Sequence, residues 1–247
     1  MQIVNPIKNL SQVFLHIIMP PTCISCSDIV EIQGQVCGKC WGDIKFIGKY
    51  KCHACGLPFE FDMGKGAYCQ HCLAHKPVFK KLRAVCKYEG TGRALATRLK
   101  FHDKTHLAGS MARMMFNAGG EVLKNADIIA PIPLHRTRKF FRKYNQAALL
   151  AKELAKNKDI SQANYVPQLL NRVRATTPQT KLNYAQRHKN VADAFQILAK
   201  TDVRGKTILL IDDVMTTGAT MNSCAQALLD AGAKRVNGLV FARVTVD

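Results

Sequence analysis

Apolar segments of strand length alternate with segments of helical spacing from residue 84 onward. The strand-like runs cover 84–88, 127–132, 191–195, 207–211 and 236–242. Apolar residues three and four positions apart, as in amphipathic helices, occur over 92–101, 107–118, 145–157 and after residue 218. Strands separated by helices predict an α/β fold, with a mostly parallel sheet and helices on both faces.

The run at 207–211 leads into two acidic residues and a loop rich in threonine and glycine. Asp212 and Asp213 stand at the expected carboxyl end of the strand, where open α/β sheets bind ligands. The loop from Met215 to Thr220 would bring backbone N–H groups and hydroxyls to the start of a helix, which favours a phosphate. Two carboxylates beside a phosphate must face other partners, and vicinal sugar hydroxyls or Mg2+ suit them. The stretch predicts a sugar-phosphate site, with a βα turn merely rich in these residues as the alternative.

The first third of the chain carries four CxxC pairs. Each such turn directs two sulfurs at one point, and two turns complete the tetrahedral thiolate shell that Zn2+ accepts. We therefore predict two structural zinc sites, each held by four cysteines, in a small N-terminal zinc-ribbon domain. Sequential pairing is the simplest arrangement, a cross-braced pairing is a second, and disulfides or an iron–sulfur cluster are the chemical alternatives. The ligands are Cys23, Cys26, Cys37 and Cys40 for one ion, and Cys52, Cys55, Cys69 and Cys72 for the other.

The polar segment at 76–81 contains Pro77 and predicts a domain boundary near residue 78. The expected division is a double zinc ribbon over 1–77 and a larger domain over 78–247. We expect an amphipathic helix over 6–19, with shallow membrane contact as the alternative. Its apolar core, 13–19, is too short to span a bilayer and lacks a cleavage pattern, so we expect no transmembrane segment and no secretory signal. The expected location is the cytoplasm, with peripheral contact at the inner membrane left open.

Basic residues greatly outnumber acidic ones. Lys and Arg total 36 against 17 Asp and Glu, which gives a formal charge of +19. Such a balance favours phosphate-rich partners, with nucleic acid ahead of anionic lipid. Two stretches concentrate the charge, an aromatic-rich run after residue 135 and a long loop beginning at Arg172. The predicted nucleic-acid-binding residues are Arg136, Arg138, Lys139, Arg142, Lys143, Tyr144, Arg172, Arg174, Lys181 and Arg187.

The acidic pair and its loop resemble the phosphoribosyl pyrophosphate (PRPP) motif of type I phosphoribosyltransferases. That resemblance implies that Asp212 and Asp213 hold the ribose hydroxyls, with Mg2+ accompanying PRPP. It also implies that Thr216, Thr217, Gly218, Ala219 and Thr220 hold the 5′-phosphate. Such enzymes have a pyrophosphate loop after another strand of the sheet. The resemblance implies that Leu134, His135 and Arg136 form that loop, with a polar loop after a core strand as the alternative.

The whole chain resembles the ComF family of competence proteins, which join a zinc ribbon to a type I phosphoribosyltransferase-like domain. The resemblance lies in the CxxC pairs and the PRPP motif, and in the segments Y-E-G-T-G-R-A-L-A-T-R-L-K-F (88–101), P-I-P-L-H-R (131–136), N-Q (145–146), R-x-R-x-T-x-x-Q (172–179) and R-H-K-N-V (187–191). It implies a role in DNA uptake during natural transformation.

Three functions are compatible with these features. The favoured one is a DNA-uptake factor that binds single-stranded DNA through the phosphoribosyltransferase-like domain and its basic loops. The others are an active Mg-PRPP-dependent transferase with an unknown acceptor, and a PRPP-sensing adaptor that docks a competence helicase or another DNA-uptake protein. The chain has no carboxylate at Thr216, which argues against hypoxanthine-guanine specificity. No residue is assigned a catalytic role.

Overall fold

A five-stranded parallel sheet organises the chain in this computed structural model, which describes residues 20–100, 105–134, 144–160, 162–172, 195–198 and 201–245. The strands of the main sheet are β1 (Lys81–Lys87), β2 (Ile128–Pro131), β3 (Asn164–Tyr165), β6 (Thr207–Met215) and β7 (Arg235–Arg243). Their order is β1-β7-β6-β2-β3, and every neighbouring pair is parallel. The type I phosphoribosyltransferase-like sheet that the sequence predicts is therefore present.

Six α-helices surround the strands within the described part of the chain. They are α1 (Gly38–Asp43), α2 (Gln70–Ala74), α3 (Gly90–Arg98), α4 (Leu107–Leu123), α5 (Gln146–Ala155) and α6 (Ala219–Asp230), with a 3-10 turn at Lys158–Ile160. None of the described helices has the length and apolar character needed to span a bilayer. The amphipathic helix expected over 6–19 lies outside the described residues.

β6 is longer than its sequence suggested. The strand was expected to end at 211, but it continues to Met215. The reason is its neighbour, because β7 keeps pairing with it as far as the register Met215↔Arg243. Asp212 and Asp213 are therefore the sixth and seventh of the nine residues of β6 rather than residues beyond the strand, and pairing with β7 on both sides of Asp213 holds this part of the backbone.

The strand expected at 191–195 differs in place and partner. Residues 191–194 lie outside the described chain, and β5 (Phe195–Ile197) pairs antiparallel with β4 (Leu170–Arg172). This small hairpin does not join the main sheet, and β5 contacts α6. Phe195 and Leu170 are buried in the core on that side.

Different structural elements cover the two faces of the sheet. One face packs against α3, α4 and α5, whose apolar residues join Leu209, Ile211 and Phe241. The other face packs α6 together with all four cysteines of the second CxxC quartet against Ile208 and Leu210. The second metal site thus fills part of the core that a helix commonly fills in an α/β fold.

The cysteine-rich segment also covers the β1 edge of the sheet. The Ile47 N–H donates to the Val85 carbonyl at 2.9 Å, and the Leu82 N–H donates to the Ala54 carbonyl at 2.6 Å. At Gly56 the approach is so close that a Cβ atom would lie 2.8 Å from the Leu82 carbonyl oxygen. An edge strand that would otherwise present unpaired backbone groups is thereby paired.

The boundary expected near residue 78 stays a prediction. The residues beside it are tied to the sheet domain, since the Val78 N–H donates to Asn222 Oδ1 at 2.9 Å. The Lys80 N–H donates to the Val236 carbonyl at 2.8 Å, and Phe79 between them is buried.

The close approach at Gly56 can be tested with a matched glycine. Gly56 and Gly64 both have positive φ, of 66° and 85°, but a Cβ atom at Gly64 would meet open space, with nothing within 4 Å. We expect Gly64→Ala to lower the free energy of unfolding by about 1 to 2 kcal/mol from backbone strain alone. Gly56→Ala should cost about 1 to 3 kcal/mol more, because the added carbon forces the ribbon away from β1. Urea unfolding of both variants measures the difference, and equal losses would contradict the packing described here.

Candidate functional site

The eight predicted metal ligands form two separate clusters of four sulfurs. In each cluster the Sγ atoms all lie within 4.8 Å of one another, and all eight cysteines are free of disulfides. The first and second CxxC turns form one cluster and the third and fourth form the other, which is the sequential pairing. Tetrahedral zinc with Zn–S bonds near 2.3 Å requires sulfurs about 3.8 Å apart. The Cys26–Cys37 and Cys55–Cys69 sulfur separations are both 3.6 Å, so the donor sets fit Zn2+.

In each cluster a backbone N–H donates to one of the four sulfurs. The Cys37 N–H donates to Cys23 Sγ at 3.2 Å, and the Cys69 N–H donates to Cys52 Sγ at 3.3 Å. The hydrogen bond from the Cys55 side chain, helped by backbone N–H groups and opposed by burial, lowers the pKa of the Cys52 thiol to about 4. Cys37 and Cys69 also cap α1 and α2, so each cluster joins a turn to the start of a short helix.

The two clusters differ in their surroundings. All four sulfur ligands of the second cluster belong to buried residues, whereas Cys26 in the first is exposed. Arg243, at the end of β7 and only 8 % exposed, donates from Nη2 to Cys55 Sγ at 3.4 Å. Four thiolates around Zn2+ carry a net charge of −2, which this guanidinium partly offsets. The second zinc site is therefore joined to β7 by charge as well as by packing.

The loop between β6 and α6, for which the sequence predicts a phosphate cradle, encloses a recess in the structure. Gly218 has a φ of 81° and directly precedes α6, which begins at Ala219. This positive φ lies in the region that L side chains rarely adopt, so the turn accommodates glycine best. The loop surrounds a small open recess of about 50 Å3. Its lining consists of Asp212, Val214, Met215, Thr216, Thr217, Gly218, Ala219, Thr220 and Met221.

The recess has the size and polarity for one small anion. A cavity of about 10 to 15 Å3 on this scale holds one water, so the recess has room for about three to five. That is comparable to a single phosphate group. The N-terminal end of the 12-residue helix α6 contributes the partial positive charge that attracts such an anion.

The two aspartates point in different directions. Asp212 continues the alternation of Ile208 and Leu210, whose side chains enter the core beside α6, and it lines the recess. Asp213 follows Leu209 on the other face, and its Oδ2 lies 3.8 Å from Lys100 Nζ. Successive residues of a strand face opposite sides of a sheet, which explains the divergence. Lys100 was not among the residues singled out in the sequence, although it lies in the R-L-K-F segment shared with the ComF family.

The surroundings of Asp212 only partly compensate the charge of its carboxylate. Desolvation and the neighbouring charge of Asp213 raise its pKa well above the ordinary value. The Asp213 N–H donates to Asp212 Oδ1 at 2.9 Å, and this bond and the Lys100 charge offset only part of that cost. A desolvated carboxylate that lacks full compensation is characteristic of sites that await a cation or a hydrogen-bonding ligand.

Of the other predicted site residues, three lie in the described chain. Leu134 follows β2 at the same edge of the sheet as the recess, since the Ile132 N–H bonds the Ile211 carbonyl. The Tyr144 hydroxyl donates to the Leu99 carbonyl at 2.7 Å, and the Arg172 guanidinium stacks over Phe195 at 5.4 Å. The remaining candidates lie outside the described residues: His135, Arg136, Arg138, Lys139, Arg142, Lys143, Arg174, Lys181 and Arg187.

Asn145, in the N-Q segment, has a structural role that sequence reasoning missed. Its Oδ1 accepts the Ala147 N–H at 3.0 Å and caps α5. Its Nδ2 donates to the Ile132 carbonyl at 3.0 Å. One side chain thus fastens the start of α5 to the end of β2. Such a cap is visible in a sequence as an asparagine before a helical pattern.

Comparisons with known proteins agree with this architecture. A family model described as a double zinc ribbon domain matches residues 14–73, and one described as a phosphoribosyl transferase domain matches 147–245. Competence protein F of Haemophilus influenzae is 28 % identical over 90 % of this chain and 96 % of its own length. The DNA utilization protein YhgH of Salmonella typhimurium is 32 % identical over 75 % and 80 % of the two chains. Competence protein ComFC of Bacillus subtilis is 25 % identical over 83 % and 82 %.

The unequal burial of the zinc sites predicts unequal effects of losing one ligand. Cys55→Ser disrupts a cluster inside the sheet core, and we expect the midpoint of thermal unfolding to fall by about 10 °C or more. Cys26→Ser changes the exposed ligand of the first cluster and should cost only a few degrees. Circular dichroism and zinc content per chain measure both effects. Equal losses in the two variants would contradict the placement of the second site in the core.

The strain at Asp212 predicts a stabilising substitution. A folded-state pKa raised above the unfolded value means that folding loses stability as pH rises past about 4, the unfolded value for Asp. Asp212→Asn removes this cost, so we expect unliganded protein to unfold at higher temperature at pH 8, by roughly 2 to 4 °C per kcal/mol relieved. The gain should shrink towards pH 4. Asp213→Asn is the charge-matched control, and it should give a clearly smaller gain, because it relieves only the repulsion of Asp212, leaves the desolvation in place and loses the contact with Lys100; a gain of the same size there would refute the assignment.

Proposed function

Because this chain belongs to the ComF family, we propose that it acts in DNA uptake, where it binds single-stranded DNA at the sheet edge that carries the phosphate recess. Three relatives that match this chain over most of their own length have names that refer to competence or to DNA utilization. The proposed place of action is the cytoplasm, where reduced thiolates persist and can hold zinc.

The observation that carries the proposal is the recess of about 50 Å3 at the start of α6. It has room for one phosphate, and its lining includes Thr216, Thr217 and Thr220, whose N–H groups and hydroxyls are hydrogen-bond donors. A phosphate of a DNA strand and the 5′-phosphate of PRPP present the same chemistry to such donors. The large excess of basic residues supports a polyanion as the partner.

The acidic pair decides what else the site takes. Carboxylates accept hydrogen bonds from vicinal ribose hydroxyls or coordinate Mg2+, and DNA supplies no vicinal hydroxyls. Asp212, the carboxylate that lines the recess, therefore suits Mg-PRPP better than it suits DNA. We infer that PRPP or a related sugar phosphate competes with the strand for the recess, which would let that metabolite regulate DNA binding.

A second function, transfer from Mg-PRPP to an acceptor, is favoured by the same pair of carboxylates. This chemistry stabilises the positive charge that develops at the ribose C1 carbon as pyrophosphate leaves. Mg2+ would be held through Asp212, and its contribution when bound would be to neutralise the departing pyrophosphate. Enzymatic pyrophosphate release from Mg-PRPP would establish transfer or hydrolysis rather than PRPP sensing. A PRPP-sensing adaptor would instead capture a helicase or another uptake protein without turnover.

The proposal predicts salt-dependent binding that PRPP weakens. Anisotropy of a labelled oligo-dT strand should give a dissociation constant that rises with salt, with a logarithmic slope near 0.7 for each phosphate contacted. Saturating Mg-PRPP should weaken wild-type binding about tenfold. In Asp212→Ala/Asp213→Ala the effect of PRPP should fall below about twofold, since the ribose contacts are lost.

The control for that experiment is Asp159→Ala/Asp230→Ala, which removes two exposed carboxylates outside the recess and changes the net charge equally. It should keep the full competition by PRPP. Strand binding that is indifferent to Mg-PRPP in wild type would remove DNA from the recess, and no salt-dependent binding at all would refute DNA binding itself.

A further inference from the structure

Two large aromatic side chains lie side by side and exposed to solvent in the first ribbon, the segment that includes the first cysteine cluster. Trp41 is 51 % exposed and Phe46 is 43 % exposed, and their ring centroids lie 4.9 Å apart at an interplanar angle of 50°. Removing such rings from water is a strong driving force, so exposed neighbouring rings commonly mark a contact surface. Neither ring ligates metal or lines the phosphate recess.

Both rings are carried on rigid backbone. Trp41 directly follows the zinc ligand Cys40 within α1. Phe46 forms a bridge with Cys86, and the hydrogen bonds on either side of it join Ile47 to Val85 and Lys87 to Lys45. The metal on one side and the sheet on the other hold the rings in place, which reduces the entropy lost when a ligand binds.

The aromatic pair lies at the same edge of the sheet as the phosphate recess. A single row of paired residues crosses this edge, because the Lys87 N–H bonds Lys45, Lys87 is in register with Arg243, and Arg243 is in register with Met215. Met215 lines the recess. The segment that carries Phe46 pairs with the outer side of β1 and therefore lies three strand spacings, or about 14 Å, from β6, a span that one extended strand of nucleic acid can cover.

The charge around the rings matches a phosphate backbone. Residues 39–51 contain four lysines and a single acid, Asp43. Lys39, Lys45 and Lys49 are exposed, and no ion pair engages them within the part of the chain that the structure describes. Asp43 is already engaged, because its Oδ2 accepts both the N–H and the hydroxyl of Thr91, at 2.7 and 2.9 Å.

We propose that Trp41 and Phe46 form a base-stacking platform for single-stranded DNA that continues from the phosphate recess, with the flanking lysines holding the backbone. This inference rests on the DNA binding proposed above and assigns the zinc ribbon a direct part in it. Aromatic rings interleaved with cations are the usual means of holding a single strand without regard to sequence, since every base has a π face. A protein-docking surface would have fewer cations among its aromatic groups.

The test uses Trp41 as its own reporter, because it is the only tryptophan in the chain. The fluorescence of Trp41 in the wild-type protein should be quenched as oligo-dT is added. The quenching should saturate with the same dissociation constant that anisotropy gives. Trp41→Ala and Phe46→Ala should each weaken binding about tenfold, with two zinc ions per chain retained. The salt slope should stay unchanged, since the lost contacts are not ionic.

Two variants control for the ring and for exposure. Trp41→Phe keeps an aromatic face and should bind within about threefold of wild type. Phe61→Ala removes an exposed ring of the second ribbon, 64 % exposed in the structure, and should leave affinity unchanged. If oligo-dT binds by anisotropy while tryptophan emission and the affinities of the ring variants stay as in wild type, the platform is refuted and the DNA-binding proposal stands. Absence of any oligo-dT binding to wild type would overturn both.

Discussion

The parallel pairing of β7 with both of its neighbours is the constraint on which the other features depend. At its carboxyl end the backbone of Arg243 is in register with Met215 on one side and Lys87 on the other. Its side chain reaches Cys55 of the second zinc cluster. The phosphate loop, the edge that carries the first ribbon and the buried metal site are thus fixed by one buried strand. Their mutual positions follow from sheet hydrogen bonds rather than from flexible connections.

The position of Asp212 costs the fold stability. A carboxylate with a raised pKa, near the end of a central strand, opposes folding at neutral pH. Lys100 offsets the charge of Asp213 but lies on the opposite face from the recess. Strain concentrated at a binding site is the pattern expected when function and stability compete for one position.

Much of this arrangement can be predicted from the sequence, because strand composition, helical spacing and CxxC turns indicate local geometry. The acidic pair and the Thr/Gly loop predict the recess between β6 and α6. Local patterns do not report what each element packs against. Spacing shows that Cys52 and Cys69 can share a metal, but not that this cluster replaces a helix in the core. For the same reason the extension of β6 to Met215, which depends on β7, and the contact of Lys100 with Asp213 were not foreseen.

The central claim is that a single strand of DNA follows the carboxyl edge of the sheet from the recess to the first ribbon. The amino-terminal ends of β1 and β7 offer an alternative binding site for DNA. It is a groove of about 360 Å3 lined in part by Lys76, Lys80, Lys234 and Arg235. Hydrogen–deuterium exchange with and without oligo-dT separates the two most directly. We predict added protection at 214–222 and 41–47, with 76–80 and 234–236 unchanged. Protection confined to the second pair of segments would contradict the claim.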